Sequence, residues 1–481
     1  MEQSYAISAW FFTRALCAVY LIAFLSLMVQ AKGLWGKQGI MPIAEYHKAV
    51  AAESDHFRYN EIPSAFWLSS SDEFIYGAAV TGACFAFAAL AGFAQGWSLL
   101  ICFGLYLSFC SSGQSFMTFQ WDALLLEVGF LALFTVPWNF NFSVLWAHEP
   151  HWLVRGMFYV VLFKLMFLSG VVKLTSGDES WRDLTALSYH YWTQPLPNPL
   201  SPFMNALPLW IHQVSAVLTF IVELIVPFFF FWPRARFWAA LPVIGLSLLI
   251  FVTGNYTFFN ILTIALCFWL IPDEAWRALT QYLPFELQTA PAHIFPHPTT
   301  AVAMLFLGFL SVFWILRPWL PEQIIDSLSP FIANVQPFHI SSPYGLFANM
   351  TKERREIVIE GSSDGREWKE YEFKYKPGDV NRMPPIVEPH QPRLDWQMWF
   401  AALGNLRSNP WMQTLMLRLF QNAPDVTELF EKNPFSDKPP MFLRARLYEY
   451  TFADPEDIVN SGIWWRRKPV GDYSPAFQNK P

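Results

Sequence analysis

Residues 152–201 read WLVRGMFYVVLFKLMFLSGVVKLTSGDESWRDLTALSYHYWTQPLPNPLS. The first part, 152–174, is an apolar run of the length a helix needs to cross about 30 Å of hydrocarbon, with Lys164 near its middle and Lys173 at its end. The second part, 176–201, is polar, aromatic and punctuated by proline before the next apolar block opens at 209. A loop of that composition between two spans is expected to do more than connect them.

The composition sets the same scene. Of 481 residues, 54% are hydrophobic and 15% charged, with 47 Phe and 23 Trp, whereas an average soluble domain carries about 25% charged residues. Apolar blocks recur at 9–29, 74–94, 97–112, 123–138, 152–174, 209–232, 237–253, 256–272 and 300–317. The third, seventh and eighth are short enough to be tilted or re-entrant, so the sequence predicts a multi-pass α-helical membrane bundle of seven to nine spans. The first block is not a secretory signal: Arg14 lies inside it, and it runs through Val29 without a small-residue cleavage site. The net charge of −6 sits largely outside the blocks, and nothing points to a nucleic-acid partner. All five cysteines, Cys17, Cys84, Cys102, Cys110 and Cys267, fall in or beside predicted spans, where buried structural thiols are expected.

After Arg317 no block is long enough to span. The predicted organisation is a transmembrane bundle over 1–317, a linker over 318–335 and a β-rich soluble domain over 336–481, a sandwich with helical inserts. Its clearest piece is EIVIEGSSDGREWKEYEFKYKP, in which 356–360 reads as a strand, 362–365 as a turn, and Tyr371, Phe373 and Tyr375 alternate with charge. That pattern predicts a hairpin. A further strand is predicted at 446–452, and helices at 396–406 and 411–420. Arg234 and Arg236 place the turn after the sixth span in the cytoplasm and hence the tail on the other side, although Lys32, Lys37, Lys48 and Arg58 in the first loop argue the reverse.

Ionisable groups within or near the blocks are Arg14, Asp122, Glu127, Arg155, Lys164, Lys173, His212 and Glu223. Each costs about 3 kcal/mol or more at a helix centre and should face the bundle interior and pair. Lys164 is expected to meet Glu127 or Glu223, as a structural ion pair or as part of a substrate site. Lys173 has two readings: a lysine snorkelling at a span end, or one wall of a cleft with Asp178, Arg182, Asp183, Tyr189 and His190. Lys164, Lys173, Asp178 and His190 are therefore the candidate catalytic set. No GxGxxG, Walker A, GxSxG or HExxH signature occurs. His293 and His297 have an HxxxH spacing, but prolines at 291, 296 and 298 oppose the helix that would align them on a metal. No metal or other cofactor is implied.

Several long segments resemble the lipase maturation factor family: QWDALLLEVGFLALF at 120–134, GVVKLTSGDESWRDLTALSYHYWTQPLPNPLS at 170–201, NYTFFNILTIALC at 255–267, SSPYGLFANMTKERREIVIEGSSDGREWKEYEFKYKPGD at 341–379, PHQPRLDWQMWFAALG at 389–404, NPF at 433–435 and WWRRKPVGDY at 464–473. The match spans nearly the whole chain. The resemblance implies a membrane-anchored chaperone-like factor, without an established reaction, that helps secreted lipases mature. Its partners would be membrane lipid and a lipase-like client met by the C-terminal domain. It implies the endoplasmic reticulum membrane in a eukaryote, or the plasma (inner) membrane in a bacterium, which the cysteine-free tail and short length favour. Helical bundle first and β-rich tail second is also a remote likeness to the vitamin K-dependent carboxylase group, but no carboxylase motif is identifiable. Candidate client-binding residues are Trp181, Arg182, Tyr189, Tyr191, Trp192, Arg393, Asp395 and Trp396. The alternative is an integral membrane enzyme acting on a lipid, quinone or protein through the Lys164, Lys173, Asp178 and His190 constellation.

Overall fold

The computed structural model describes residues 4–53, 58–290 and 297–479. Six helices are long and apolar enough to cross a bilayer: Ala6–Met28, Asp72–Leu90, Trp152–Thr175, Leu209–Phe231, Arg236–Thr253 and Pro298–Trp319. A seventh candidate is broken, Phe259–Leu270 turning by 115° into Asp273–Thr280. The break is anchored, because the Asp273 carboxylate accepts from the amides of Ile7 at 2.9 Å and Ser8 at 3.3 Å. A carboxylate there satisfies donors that the first turn of the Ala6–Met28 helix leaves open.

The described residues thus hold six such helices, seven with the bent pair, and the upper end of the seven-to-nine range is corrected. The block at 123–138 belongs to a helix of 13 residues, Gln120–Ala132, about 20 Å long and too short to span. Leu124, Leu125, Leu126 and Val128 are wholly buried in it, so this is a core helix wrapped by the spans. The block at 97–112 forms Gln95–Ser112, which carries five polar side chains and is not apolar enough to join the six. A continuous apolar run reads alike whether its surroundings are lipid or protein. Cys17, Cys102 and Cys267 are buried, Cys110 is half-buried, and Cys84, expected inside, is exposed on its span.

The predicted linker contains a helix, Glu322–Val335, whose Ile332 packs against Leu310, Phe313 and Trp314 of the preceding span. Beyond it lies an antiparallel sheet of four strands in the order Lys369–Glu370, Arg354–Ser362, Phe442–Phe452, Trp465–Gln478. The expected local hairpin shrinks to Glu360 opposite Glu370 and Gly361 opposite Lys369. The long partner of Arg354–Ser362 is instead Phe442–Phe452, in register from Arg354 opposite Tyr450 to Ser362 opposite Phe442. The predicted turn does form: Ser362 Oγ accepts from the Gly365 amide at 2.9 Å, and Gly365 takes φ +76°, which glycine adopts without strain. Afterwards the chain leaves the sheet, and Glu372–Phe373 pairs with Phe430–Lys432.

The second sheet a sandwich would need is replaced by helices Arg393–Ala402 and Trp411–Phe420. Ile357, Ile359, Leu443 and Ala445 share one core with Met398, Leu415 and Leu419. Val358 points the other way, to Tyr448, Tyr450 and Trp465, as the period-two alternation of a strand requires.

Candidate functional site

Three buried polar clusters join the bundle to the C-terminal part, and one more, inside the bundle, lines a cavity. The first is built on the Trp152–Thr175 helix, where Lys164 is wholly buried. Its Nζ donates to Glu127 Oε1 at 2.5 Å and Ser341 Oγ at 2.9 Å. The other carboxylate oxygen accepts from the Tyr344 hydroxyl at 2.6 Å and the Ser342 amide at 3.1 Å. Glu127 is thus held by the bundle on one side and by residues 342–344 on the other.

Lys173 lies nine residues farther along the same helix, about 13.5 Å at 1.5 Å per residue, and has its own acid. Its Nζ donates to both Glu223 oxygens at 2.8 Å and to Ser169 O at 3.2 Å. Glu223 sits in a π-helical turn, Ile221–Ile225, a local widening that re-aims side chains and recurs at functional positions. The approach depends on Gly170, where a Cβ would stand 2.6 Å from Leu224 and 3.1 Å from Glu223 Cβ. The two acids named from sequence therefore serve two different lysines.

The third cluster clamps the tail. Arg393 donates to Asp122 Oδ1 at 2.8 Å and Oδ2 at 2.9 Å, and to Phe116 O at 2.6 Å, while Tyr106 OH donates to Asp122 Oδ1 at 2.5 Å. In the fourth, Arg354 donates to the carbonyls of Trp192 at 3.0 Å, Gln194, and Pro195 at 2.9 Å, and pairs with Glu356 at 2.6 Å. Beside it Asn255 Nδ2 donates to Pro197 O at 3.1 Å and Pro385 O at 2.9 Å, and Oδ1 accepts from the Val387 amide at 2.8 Å. The proline-rich exit of the 176–201 loop is thereby sealed against the tail.

Among the candidate client-binding residues, Trp181, Tyr191, Arg393, Asp395 and Trp396 are buried. Trp181 Nε1 donates to Phe347 O at 2.9 Å, Asp395 accepts the amides of Tyr375 and Lys376 at 2.8 and 2.9 Å, and Trp396 packs edge-on against Trp121. Aromatic, charged segments read as surface in sequence, yet Trp181 and Tyr191 of the loop and Arg393, Asp395 and Trp396 of the Arg393–Ala402 helix are turned inward. Arg182 is exposed, and Tyr189 and Trp192 are half-buried.

Of the candidate catalytic set, Lys173 and His190 border one cavity, whereas Lys164 and Asp178 are not part of its lining. Asp178 caps Ser180 at 2.9 Å and accepts from the Met350 amide at 2.6 Å. Partial burial pushes its carboxyl up, but the Met350 and Ser180 donors outweigh this and hold it below the usual carboxylate range. His190 stacks on Tyr256, with Nε2 3.4 Å from the tyrosine hydroxyl. Burial first, and Lys173 second, push its pKa down to about 4, so the imidazole is neutral. Among the described residues no three of His, Cys, Asp and Glu converge as a metal ion would need. His293 and the side chain of His297 lie outside the described residues.

Lys173, Glu223, His190, Trp181 and Tyr191 border a cavity of about 330 Å³ between the Leu209–Phe231 and Arg236–Thr253 spans, beneath the loop. Its walls are otherwise chiefly apolar.

One acid in the seam titrates near neutrality. Glu388 accepts from the Tyr256 amide, yet burial pushes its carboxyl up to about 8. A folded-state pKa above the unfolded value of about 4.3 means stability is fully present below pH ~4.3 and lost as pH rises through 8. Thermal unfolding of the purified protein is therefore expected to shift to lower temperature between pH 6 and 9. Glu388→Gln should flatten that slope, and an unchanged slope would remove Glu388 as its source.

The family model for the lipase maturation factor transmembrane domain matches residues 7–278, and that for the lipase maturation factor C-terminal domain matches residues 340–475. The chain is 34% identical to lipase maturation factor 2 of Gallus gallus, covering 97% of this chain and 80% of that protein. Against lipase maturation factor 2 of Homo sapiens it is 34% identical, covering 97% and 82%. Lipase maturation factor 1 of Bos taurus is 32% identical, covering 97% and 88%. No solved structure matches the chain.

Proposed function

Since this chain belongs to the lipase maturation factor family, we propose that it is an integral, multi-pass membrane maturation factor for lipases whose client meets the seam between the 176–201 loop and the tail. The observation that carries the placement is Asn255, which holds Pro197 of the loop and Pro385 of the tail with one amide. Polar groups thus fix the two segments as one rigid rim, and a preorganised surface loses less ordering entropy when a partner docks. On that rim Met383 and Ile386 of the tail are 50% and 77% exposed, and Leu200 of the loop is 42% exposed. Exposed apolar side chains with fixed backbones suit a client that still shows apolar surface before it is fully folded.

This reading puts the rim on the non-cytoplasmic side, in the endoplasmic reticulum of a eukaryote or at the plasma membrane of a bacterium. The enzymatic alternative requires Lys164, Lys173, Asp178 and His190 around one reacting centre. Lys164 is instead held by Glu127 and Ser341, and Asp178 by the amides of Met350 and Ser180.

Co-expression with a secreted lipase tests the proposal. Met383→Asp with Ile386→Asp should lower active secreted lipase several-fold at unchanged abundance of the membrane protein, since neither side chain supports the core. Unchanged lipase activity would reject this surface.

A further inference from the structure

Beneath the rim, the cavity bordered by Lys173 and Glu223 has features that docking of a protein does not use. Its mouth lies between two membrane spans and is flanked by Leu218 and Leu249, exposed at 54% and 42%. In a membrane those faces meet acyl chains, so the cavity lies against lipid along these two spans. At about 330 Å³ it is at the small end of the roughly 300–1,000 Å³ range of small-ligand sites, a size that suits one chain better than two.

A second void, about 70 Å³, adjoins it and shares Lys173, Glu223 and Phe347. The ion pair therefore borders both spaces. The inner void is bordered by Trp121 and Asn260, at 4% and 2% exposure. Trp121 Nε1 and Asn260 Nδ2 have no hydrogen-bond partner among the described residues. Buried N–H donors are nearly always paired, because an unmet one has given up its bonds to water with nothing in return. Both are donors, so what is missing is an acceptor oxygen.

Charge narrows the ligand further. Lys173 is neutralised by both oxygens of Glu223, so an anionic head would bring an uncompensated charge into a low-dielectric site. We propose that the two adjoining spaces together bind one uncharged, single-chain lipid whose ester or carbonyl head accepts from Trp121 Nε1 and Asn260 Nδ2 in the inner void and whose chain lies in the outer cavity, between the Leu209–Phe231 and Arg236–Thr253 spans. This site stands independently of the lipase-client reading.

Gly245 gives the test. It borders the outer cavity, and a Cβ there would meet nothing within 4 Å, so Gly245→Trp plugs the mouth and Gly245→Leu narrows it while favouring the helix. The full-length protein in nanodiscs is irradiated with a diazirine-tagged monoacylglycerol, with tagged palmitate and phosphatidylcholine as competing classes, and labelled peptides are mapped. Monoacylglycerol is expected to label peptides within 209–253, with at least a tenfold loss in Gly245→Trp, a smaller loss in Gly245→Leu and a several-fold loss in Asn260→Leu. Labelling unchanged by both Gly245 variants, or equal labelling by palmitate or phosphatidylcholine, overturns the proposal. Gly245→Leu carries the decision should the tryptophan variant fail to fold, and labelling that survives in Asn260→Leu overturns the assignment of the head.

Discussion

Arg393→Ala should release the C-terminal part from the bundle. The guanidinium makes two contacts of 2.8 and 2.9 Å with Asp122 and one of 2.6 Å with Phe116 O, and both charged side chains are about 2% exposed or less. Removing one member of a buried pair leaves the other charged and unpaired, which costs about 3–5 kcal/mol. That is a large share of the roughly 5–15 kcal/mol by which folded proteins exceed their unfolded states. The tail should become a substrate for trypsin while the spans remain helical, and thermal unfolding in detergent should split into two steps. Asp122→Ala should behave alike, since it strands Arg393. Asp122→Leu with Arg393→Leu should cost clearly less than the sum of the single changes, because well-packed apolar pairs replace buried ion pairs at little net cost. Wild-type protease resistance in Arg393→Ala would show that the clamp lies elsewhere.

Residues such as these show where the sequence was legible. The cost of charge in an apolar block predicted that Asp122, Glu127, Lys164 and Glu223 need partners, and the apolar blocks themselves located the spans. Which partner each acid takes was not legible, because Arg393 is 271 residues from Asp122 and stands in a segment whose composition reads as surface. A sheet in which Arg354–Ser362 pairs with Phe442–Phe452 has the same obstacle: the Asp-Gly turn is a local signal, whereas the strand that wins the pairing lies some 80 residues away. Trp181, Tyr191 and Trp396, candidates for client binding from sequence, are buried, and that too was not legible. Aromatic residues in a polar loop carry no mark of which face is sealed by another part of the chain. The cavity could have been suspected from Gly170, Glu223 and Lys173 only with the π-turn of Ile221–Ile225 in hand, and no apolar periodicity announces a π-turn.

Lys164→Met discriminates between a structural and a reactive lysine. If Lys164 served chemistry, the methionine variant would accumulate normally and lack activity. The geometry predicts the opposite. Without the ammonium, Glu127 retains the Tyr344 hydroxyl and the Ser342 amide but loses its only counter-charge among the described residues. A carboxylate only 3% exposed must then ionise unpaired or take up a proton, and either route costs several kcal/mol. Lys164→Met should therefore lower the amount of folded protein severely, and the lost function should scale with lost abundance. Glu127→Gln should be damaging for the mirror reason, leaving Lys164 charged in an apolar helix, whereas Lys164→Met with Glu127→Gln should recover part of the loss, since an amide can still accept from Tyr344. Fluorescence-detected size exclusion of tagged variants, followed by lipase co-expression normalised to monodisperse protein, measures both quantities. A Lys164→Met protein that is abundant, monodisperse and inactive would sink the structural assignment and return Lys164 to the candidates for a reactive group.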